Sequence, residues 1–401
     1  MLLSIAYMLM VGMAAGWVLR KLRLPSLAGM ILTGILLGPY ALDLIDGSIL
    51  GISAELRKIA LIIILMRAGL SLDVDDLKRV GRPAVLMCFV PACFEILGML
   101  VLAPRLLGIT VLEAAIMGSV VAAVSPAVIV PKMIRLMEEG YGTDNSIPQL
   151  ILAGASVDDV CVIVLFSAFT GLAQGRRVSP VSFVQIPGSI LAGILIGCGA
   201  GVLLAQYFKQ VHIRDTVKVI ILLCISFILV TLEDSLKGAF TFSSLISVMC
   251  MGISLQKQRG PVAMRLSVKF NKLWVGAEIL LFVLVGATVD VSYAVSAGAA
   301  AILLILGVLV FRMAGVMCCL LRTRLSLKER LFCMVAYMPK ATVQAAIGGV
   351  PLSMGLACGN IVLTVAVLSI LITAPLGAFL IDLTYQRWLT CETHGAEPGR
   401  P

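Results

Sequence analysis

The chain has 401 residues, of which 60% are apolar and only 13% are charged, with 31 Lys and Arg against 22 Asp and Glu. Its mean hydropathy of +1.08 excludes an ordinary soluble domain, in which about a quarter of the residues are charged. The net charge of +9 falls in short basic clusters between apolar runs. Such clusters are typical of the loops of a membrane protein, so nucleic-acid binding is not predicted.

Cysteine and histidine usage narrows the function further. Most of the eleven cysteines lie within apolar runs, as Cys88 and Cys198 do, which is typical of small buried hydrophobic residues. His212 and His394 fall in a polar loop and in the tail. A histidine metal centre or a Ser-His-Asp triad is therefore not expected, and we predict neither a cofactor nor an enzymatic reaction.

Apolar segments follow one another along the whole chain. Because a membrane-spanning helix needs about 20 residues, we predict an all-α polytopic membrane protein with about thirteen transmembrane helices. In chain order, the segments are 1–19, 25–42, 58–73, 84–104, 111–136, 147–173, 182–205, 216–232, 240–255, 273–289, 294–320, 330–350 and 360–385. The first segment leads into Arg20 without a clear cleavage site, so no cleavable signal peptide is expected.

Basic residues are distributed unequally between the alternate loops. One set of loops carries 22 Lys and Arg, the other set carries 6, and the remaining three lie within apolar segments. By the positive-inside rule, this asymmetry predicts an outside N-terminus and a cytoplasmic polar tail, 386–401. The expected location is a bacterial inner membrane.

Prolines interrupt the fifth and twelfth segments. Pro126, Pro131 and Pro339 should each break a helix, because proline removes a backbone donor and clashes with the preceding turn. A single kink would explain either segment alone. Two breaks at matching positions instead favour crossed broken helices, whose half-helix ends face an ion at the membrane midplane.

The two interrupted segments lie seven segments apart, and an odd offset reverses the orientation in the membrane. This spacing predicts two inverted six-helix repeats within a single transporter unit, 1–385. The first repeat is 1–173, the linker helix is 182–205 and the second repeat is 216–385.

Seven charged residues fall within apolar segments, where an unpaired charge costs at least several kcal/mol. They are Arg67, Glu95, Asp158, Asp159, Glu278, Arg312 and Lys340. Each therefore needs a partner or a role in transport. Arg67 and Glu278 are expected to pair within the helix bundle, and we assign neither of them a transport role.

Asp158 and Asp159 lie about 17 Å along a helix that begins at Ile147, near the middle of a hydrocarbon layer roughly 30 Å thick. Two carboxylates so close cannot both ionise cheaply, so sodium ions and protons should compete for at least one of them. This competition is the basis of an antiporter. The apolar flanks 150–152 and 162–165 disfavour the alternative, an aspartate pair that caps a neighbouring helix.

These motifs together resemble the cation/proton antiporter superfamily and are most similar to its NHA-type branch. The resemblance extends from about Arg57 to Pro375. Its main stretches are Ser125-Pro-Ala-Val-Ile-Val-Pro131, Glu139-Gly-Tyr-Gly-Thr-Asp144, Ile147-Pro148, Ser156-Val-Asp-Asp159, Pro339-Lys-Ala-Thr-Val-Gln-Ala-Ala-Ile-Gly348 and Leu368-Ser-Ile-Leu-Ile-Thr-Ala-Pro375. It implies an NhaA-like fold, a core domain that slides past a dimerisation domain, a homodimer, and exchange of Na+ or Li+ for H+.

The resemblance also implies roles for individual residues. Asp159 matches the principal ion-binding aspartate, and Asp158 matches its neighbour. Ser125 and nearby carbonyls of the broken helix are expected to complete the oxygen shell of the transported Na+ or Li+, because hard cations prefer oxygen ligands.

One departure concerns the eleventh segment, where electrogenic relatives carry a lysine and this chain has Arg312. Arg312 could pair with Asp158 or, as the NHA-type resemblance suggests, with Glu95, and we favour Glu95. Because arginine effectively cannot lose its proton, we predict electroneutral exchange. The alternative is that both Asp158 and Asp159 release protons when a cation binds, which would make the exchange electrogenic. Lys340 is expected to offset the negative ends of the facing half-helices; the alternative is a side chain that extends to the membrane surface.

Glycines repeat every four residues on the first segment, at Gly12 and Gly16, and on the seventh, at Gly193, Gly197 and Gly201. This spacing allows helices to approach closely, most simply within one chain. The resemblance nevertheless makes the first segment a candidate dimer contact.

Other classes of function fit less well. A sodium-coupled organic-solute symporter of the same fold would also have crossed broken helices, but it would not require the aspartate pair. A channel would need a continuous polar stripe, and a membrane enzyme would need a nucleophile or a metal cluster near an interface. The sequence contains neither feature.

Overall fold

The computed structural model describes residues 1–22, 24–71, 81–173, 180–211, 213–236 and 242–391. Both histidines, Arg176, Arg177 and Lys237 lie outside these residues, as do most of the predicted loop 74–83 and the tail beyond Cys391. The predictions made for them stay predictions.

The described residues form α-helices joined by short connections. The helices are α1 (Leu2–Lys21), α2 (Ser26–Leu37), α3 (Gly47–Gly51), α4 (Ser53–Ser71), α5 (Arg82–Met87), α6 (Val90–Leu107), α7 (Val111–Val121), α8 (Pro126–Glu138), α9 (Ile147–Ala173), α10 (Pro180–Gln210), α11 (Asp215–Ser235), α12 (Ser244–Gln258), α13 (Gly260–Ala287), α14 (Val291–Cys319), α15 (Leu327–Ala336), α16 (Thr342–Ile347), α17 (Val350–Ser353) and α18 (Gly359–Trp388). The predicted all-α class is confirmed.

Every predicted segment overlaps one or more of these helices. Within the described ranges, eight helices are long and apolar enough to cross a membrane. The total of thirteen crossings stays a prediction.

One boundary was predicted wrongly. The predicted loop 256–272 is helical from Gly260 onward, because its charged residues lie on the exposed side of α13 while Leu266 and Phe270 are buried. The charged residues therefore form the polar face of α13 and do not indicate where the helix ends. The predicted segment 84–104 lies within the apolar span Arg82–Leu107, in which the chain turns between α5 and α6.

The fifth and twelfth predicted segments are both interrupted. Residues 122–125 separate α7 from α8, and residues 337–341 separate α15 from α16. The N–H of Ser125 donates to the carbonyl of Pro339 at 2.8 Å, so the two breaks are in direct contact.

Only two of the three predicted proline breaks occur. Pro126 is the first residue of α8, where no backbone donor is needed, and Pro339 lies within the second break. The prediction for Pro131 is wrong, because α8 continues past it to Glu138. Residues 122–125 already change the direction of the chain, so Pro131 removes one hydrogen bond from a helix that is otherwise intact.

The helices pack into two bundles. The first bundle contains α1, α2, α4 and α10 to α13, and the second contains α5 to α9 and α14 to α18. They meet where α16 contacts α4 and α13, where α18 contacts α2, and where α9 contacts α12. Both broken segments and both candidate aspartates therefore belong to the second bundle. The division into two inverted repeats stays a prediction.

The glycine repeats make close contacts within the chain. A Cβ on Gly193, Gly197 or Gly201 would overlap the backbone of α12, and a Cβ on Gly12 or Gly16 would press on α13 or α2. Packing within the chain is thus confirmed for both repeats, and the dimer contact stays a prediction.

The crossing of α2 and α13 gives a test of this packing. A Cβ on Gly286 would overlap the carbonyl oxygen of Ile31, whereas a Cβ on Gly276, on the same helix, would meet nothing within 4 Å. We expect Gly286→Ala to destabilise the protein by about 1–3 kcal/mol through overpacking and to lower its melting temperature in detergent. Gly276→Ala is the matched control and should melt at or slightly above the wild-type temperature. Equal melting of the two variants would contradict this packing.

Candidate ion-binding site

Arg312 is 1% exposed and joins four parts of the second bundle. Its Nη1 donates to Glu95 Oε2 of α6 at 2.8 Å, and its Nη2 donates to Asp158 Oδ2 of α9 at 2.9 Å. Its Nε donates to the carbonyl of Tyr337 at 2.6 Å, and Nη1 also donates to the carbonyl of Ala122. These two carbonyls belong to the two different breaks, so one guanidinium holds both breaks and both carboxylates.

Lys340 is fully buried in the second break. Its Nζ donates to Glu95 Oε2 at 2.5 Å, and its backbone N–H donates to Thr373 Oγ1 at 2.9 Å. The side chain does not extend to the surface, and it pairs with a carboxylate. The expected offset of the half-helix ends by its charge stays a prediction. Lys340 and Arg312 with Glu95 and Asp158 form a buried charge cluster whose formal charges cancel.

The broken backbone is satisfied largely by side chains. Nε2 of Gln344, on α16, donates to the carbonyls of Val121 and Ala123 at 3.0 and 2.8 Å. Its Oε1 accepts from the N–H of Ala341 at 2.8 Å. Because a buried backbone group without a partner is costly, this one amide stabilises both breaks at once.

Asp158 is held firmly in place. Its Oδ2 accepts from Arg312 and from the N–H of Val124 at 2.8 Å, and its side chain is fully buried. Its Oδ1 has no partner among the described residues.

Asp159 has different surroundings, because adjacent helical residues point about 100° apart. Its side chain lines a cavity between the two bundles, together with Thr342. The other lining residues are Leu61, Ile64, Leu65, Ala68, Met249 and Val343. Within the described part of the chain, no donor reaches its Oδ1. This carboxylate is available to a proton or to a metal cation.

Ser125 caps the start of α8 by position, but its hydroxyl forms no capping hydrogen bond. Its Oγ is buried and has no partner among the described residues. This free oxygen lies one residue after Val124, whose N–H donates to Asp158. Its position is consistent with a ligand role for Ser125, and that role stays a prediction.

The arginine pairing combines two predictions that were treated as alternatives. Arg312 contacts Glu95 and Asp158 at nearly equal distances. Arg67 lies on α4 and Glu278 lies on α13, two helices of the first bundle that pack against each other. Their pairing stays a prediction.

Sequence reasoning missed the importance of Thr342 and Gln344. Both lie within the stretch from Pro339 to Gly348. Their position directly after a proline break was the available signal, because the backbone groups freed by such a break need polar partners.

A family model described as "Sodium/hydrogen exchanger, transmembrane" matches residues 6–384. The chain belongs to this sodium/hydrogen exchanger family. Sodium/hydrogen exchanger 9B2 of Mus musculus is 34% identical over 391 residues, which cover 93% of this chain and 70% of that protein. Sodium/hydrogen exchanger 9B1 of Homo sapiens is 31% identical over 363 residues, which cover 84% and 67%.

The fold of this exchanger is also that of a solved antiporter. The sodium proton antiporter MjNhaP1 from Methanocaldococcus jannaschii superimposes with a TM-score of 0.84 at 20% identity, over 96% of this chain and 99% of that chain. The predicted membership of the cation/proton antiporter superfamily is confirmed, and this exchanger is a multi-pass integral membrane protein.

The buried charge cluster generates a prediction about stability. Removing one partner of a buried ion pair leaves an uncompensated charge, which costs about 3–5 kcal/mol. We expect Glu95→Gln and Arg312→Gln each to lower the melting temperature of the purified exchanger, and the double variant to lose less than the sum of the two.

The control is the partly exposed pair of Lys132 and Asp382. The same cycle with Lys132→Gln and Asp382→Asn should give a coupling below about 1 kcal/mol. Additive effects of Glu95→Gln and Arg312→Gln would show that the pair contributes no coupling.

Proposed function

We propose that this exchanger moves Na+ or Li+ against H+ by alternating access, and that the two cations compete for Asp159. The observation that carries the proposal is the contrast between two neighbouring carboxylates. Asp158 is bound by Arg312 and by the N–H of Val124, whereas Asp159 lines a mostly apolar cavity between the bundles.

The surroundings of Asp159 support competition. An ionised carboxylate against apolar side chains is unfavourable unless a positive charge accompanies it. A bound proton or a bound alkali cation meets this requirement equally, and the carboxylate accepts one at a time. The second bundle should therefore rarely change from one access state to the other while Asp159 is ionised and carries no cation. This restriction couples the two ion flows.

The position of the cavity supports alternating access. Asp159 belongs to the second bundle, and the cavity wall of α4 and α12 belongs to the first. If one bundle slides past the other, Asp159 is exposed to each side of the membrane in turn. The hydrogen bonds of the charge cluster stay intact, because the cluster lies within the second bundle. We propose that the first bundle also supplies the homodimer contact.

The orientation and membrane proposed here rest on the basic loops. The 22 to 6 distribution of Lys and Arg supports an outside N-terminus and a cytoplasmic tail. We propose a bacterial inner membrane as the location. The relatives are named as sodium/hydrogen exchangers, which favours exchange over sodium-coupled symport of an organic solute.

The charge cluster supports electroneutral exchange. The positive charges of Arg312 and Lys340 balance the negative charges of Glu95 and Asp158, all within one hydrogen-bonded group. The charge of Asp159 is then not balanced by this group. When one alkali cation replaces one proton there, the transport cycle moves no net charge.

The role of Asp159 can be tested by Asp159→Asn, which keeps the shape of the side chain and removes its ionisable group. We expect this variant to fold but to lose sodium-dependent proton exchange in proteoliposomes, measured with a pH-sensitive dye. Asp144→Asn, which changes an exposed aspartate of the loop after α8, should exchange normally. Near-normal exchange by Asp159→Asn would refute the site.

The stoichiometry can be tested with an imposed membrane potential. One net charge moved through 100 mV is worth about 2.3 kcal/mol, so an electrogenic cycle would respond strongly to such a potential. We expect the exchange rate to be insensitive to it, and a sodium jump on a solid-supported membrane to give no sustained current. A sustained current would mean that a second proton is carried, for example by Asp158.

A further inference from the structure

Thr342 is the first residue of α16, and its side chain is 2% exposed. Its Oγ1 has no hydrogen-bond partner among the described residues. It lines the cavity beside Asp159, and these two residues alone among those lining the cavity offer a side-chain oxygen.

A free threonine hydroxyl is unusual in this protein. Buried Thr33, Thr170 and Thr373 each donate to the carbonyl four residues earlier in their own helix. Thr342 has no such helical carbonyl behind it, because residues 337–341 form the second break. The break therefore leaves a buried hydroxyl that can bind another group.

The first break presents a similar hydroxyl. Ser125 stands at the N-cap of α8, where a serine normally accepts from the N–H groups of the first turn. It forms no such bond, and its Oγ is also buried without a partner. Each break thus ends in a hydroxyl that the local helix does not use.

We infer that Thr342 Oγ1 is a ligand of the transported alkali cation, together with the Asp159 carboxylate. This inference rests on the proposed function and extends its oxygen shell to the second broken helix. Hard cations take several oxygen ligands, and one carboxylate offers two. A hydroxyl adds an oxygen without a charge, so it strengthens cation binding and leaves the one-for-one exchange unchanged.

The test compares Thr342→Val, which removes the hydroxyl, with Thr342→Ser, which keeps it. In proteoliposomes, we expect Thr342→Val to raise the sodium concentration for half-maximal exchange at least tenfold, with a maximal rate within threefold of wild type. Thr342→Ser should stay within threefold for both quantities. Thr170→Val, which changes an equally buried threonine whose hydroxyl is used within α9, should match the wild type.

A second measurement separates binding from transport. Sodium chloride titrated into detergent-solubilised protein should raise the melting temperature, and Thr342→Val should need at least tenfold more sodium for the same rise. If Thr342→Val does not fold, Thr342→Ala takes its place in both measurements.

The outcomes distinguish the ligand role of Thr342 from the proposed function. Wild-type sodium dependence in Thr342→Val, or equal losses in Thr342→Val and Thr342→Ser, would overturn the ligand role. Either result would leave the proposed function standing as long as Asp159→Asn is inactive. Normal exchange by Asp159→Asn would overturn both.

Discussion

The fold of this exchanger depends on one buried guanidinium. Removing a charge from water costs several kcal/mol even after the protein relaxes, and good geometry is needed to offset it. Arg312 meets this condition with two carboxylates, Glu95 and Asp158, and with one carbonyl from each broken helix. Arginine suits this position because its planar fork has five donors and keeps its charge. Without these donors, the contact between the two broken helices would contain carbonyls without partners and carboxylates without a balancing positive charge.

The fixed position of Arg312 separates the roles of two adjacent aspartates. Asp158 faces the guanidinium and the N–H of Val124, whereas Asp159, rotated by about 100° around the helix axis, faces the cavity. One side chain thus stabilises the fold, and the other keeps an oxygen without a hydrogen-bond partner among the described residues. This division needs no difference in residue type, because the helical geometry alone gives identical side chains different surroundings.

Much of this arrangement was predictable, because the membrane limits the choice of structure. Apolar runs of helix length located the helices, and buried charges located Asp158, Asp159, Glu95, Arg312 and Lys340. Local rules failed where a contact spans the sequence. Gln344 is important because it reaches Val121 and Ala123, about 220 residues away in the chain. The nearby Pro339 indicates that freed backbone groups need polar partners, but it does not indicate that Gln344 binds carbonyls of the other broken segment. The prediction for Pro131 failed for the opposite reason. The rule that proline breaks a helix was applied to Pro131, although the neighbouring break at residues 122–125 already turns the chain.

Lys340 decides whether the charge balance of the cluster survives transport. Unlike arginine, a buried lysine can lose its proton, and a proton released from Lys340 to water would add a second moving charge. A proton passed from Lys340 to Glu95, its partner at 2.5 Å, would instead leave the total charge unchanged. Both residues are fully buried and their side chains are hydrogen-bonded to each other, so the internal transfer is the shorter path. The proposal that Asp159 alone carries the proton therefore requires Lys340 to keep its proton or to pass it only to Glu95.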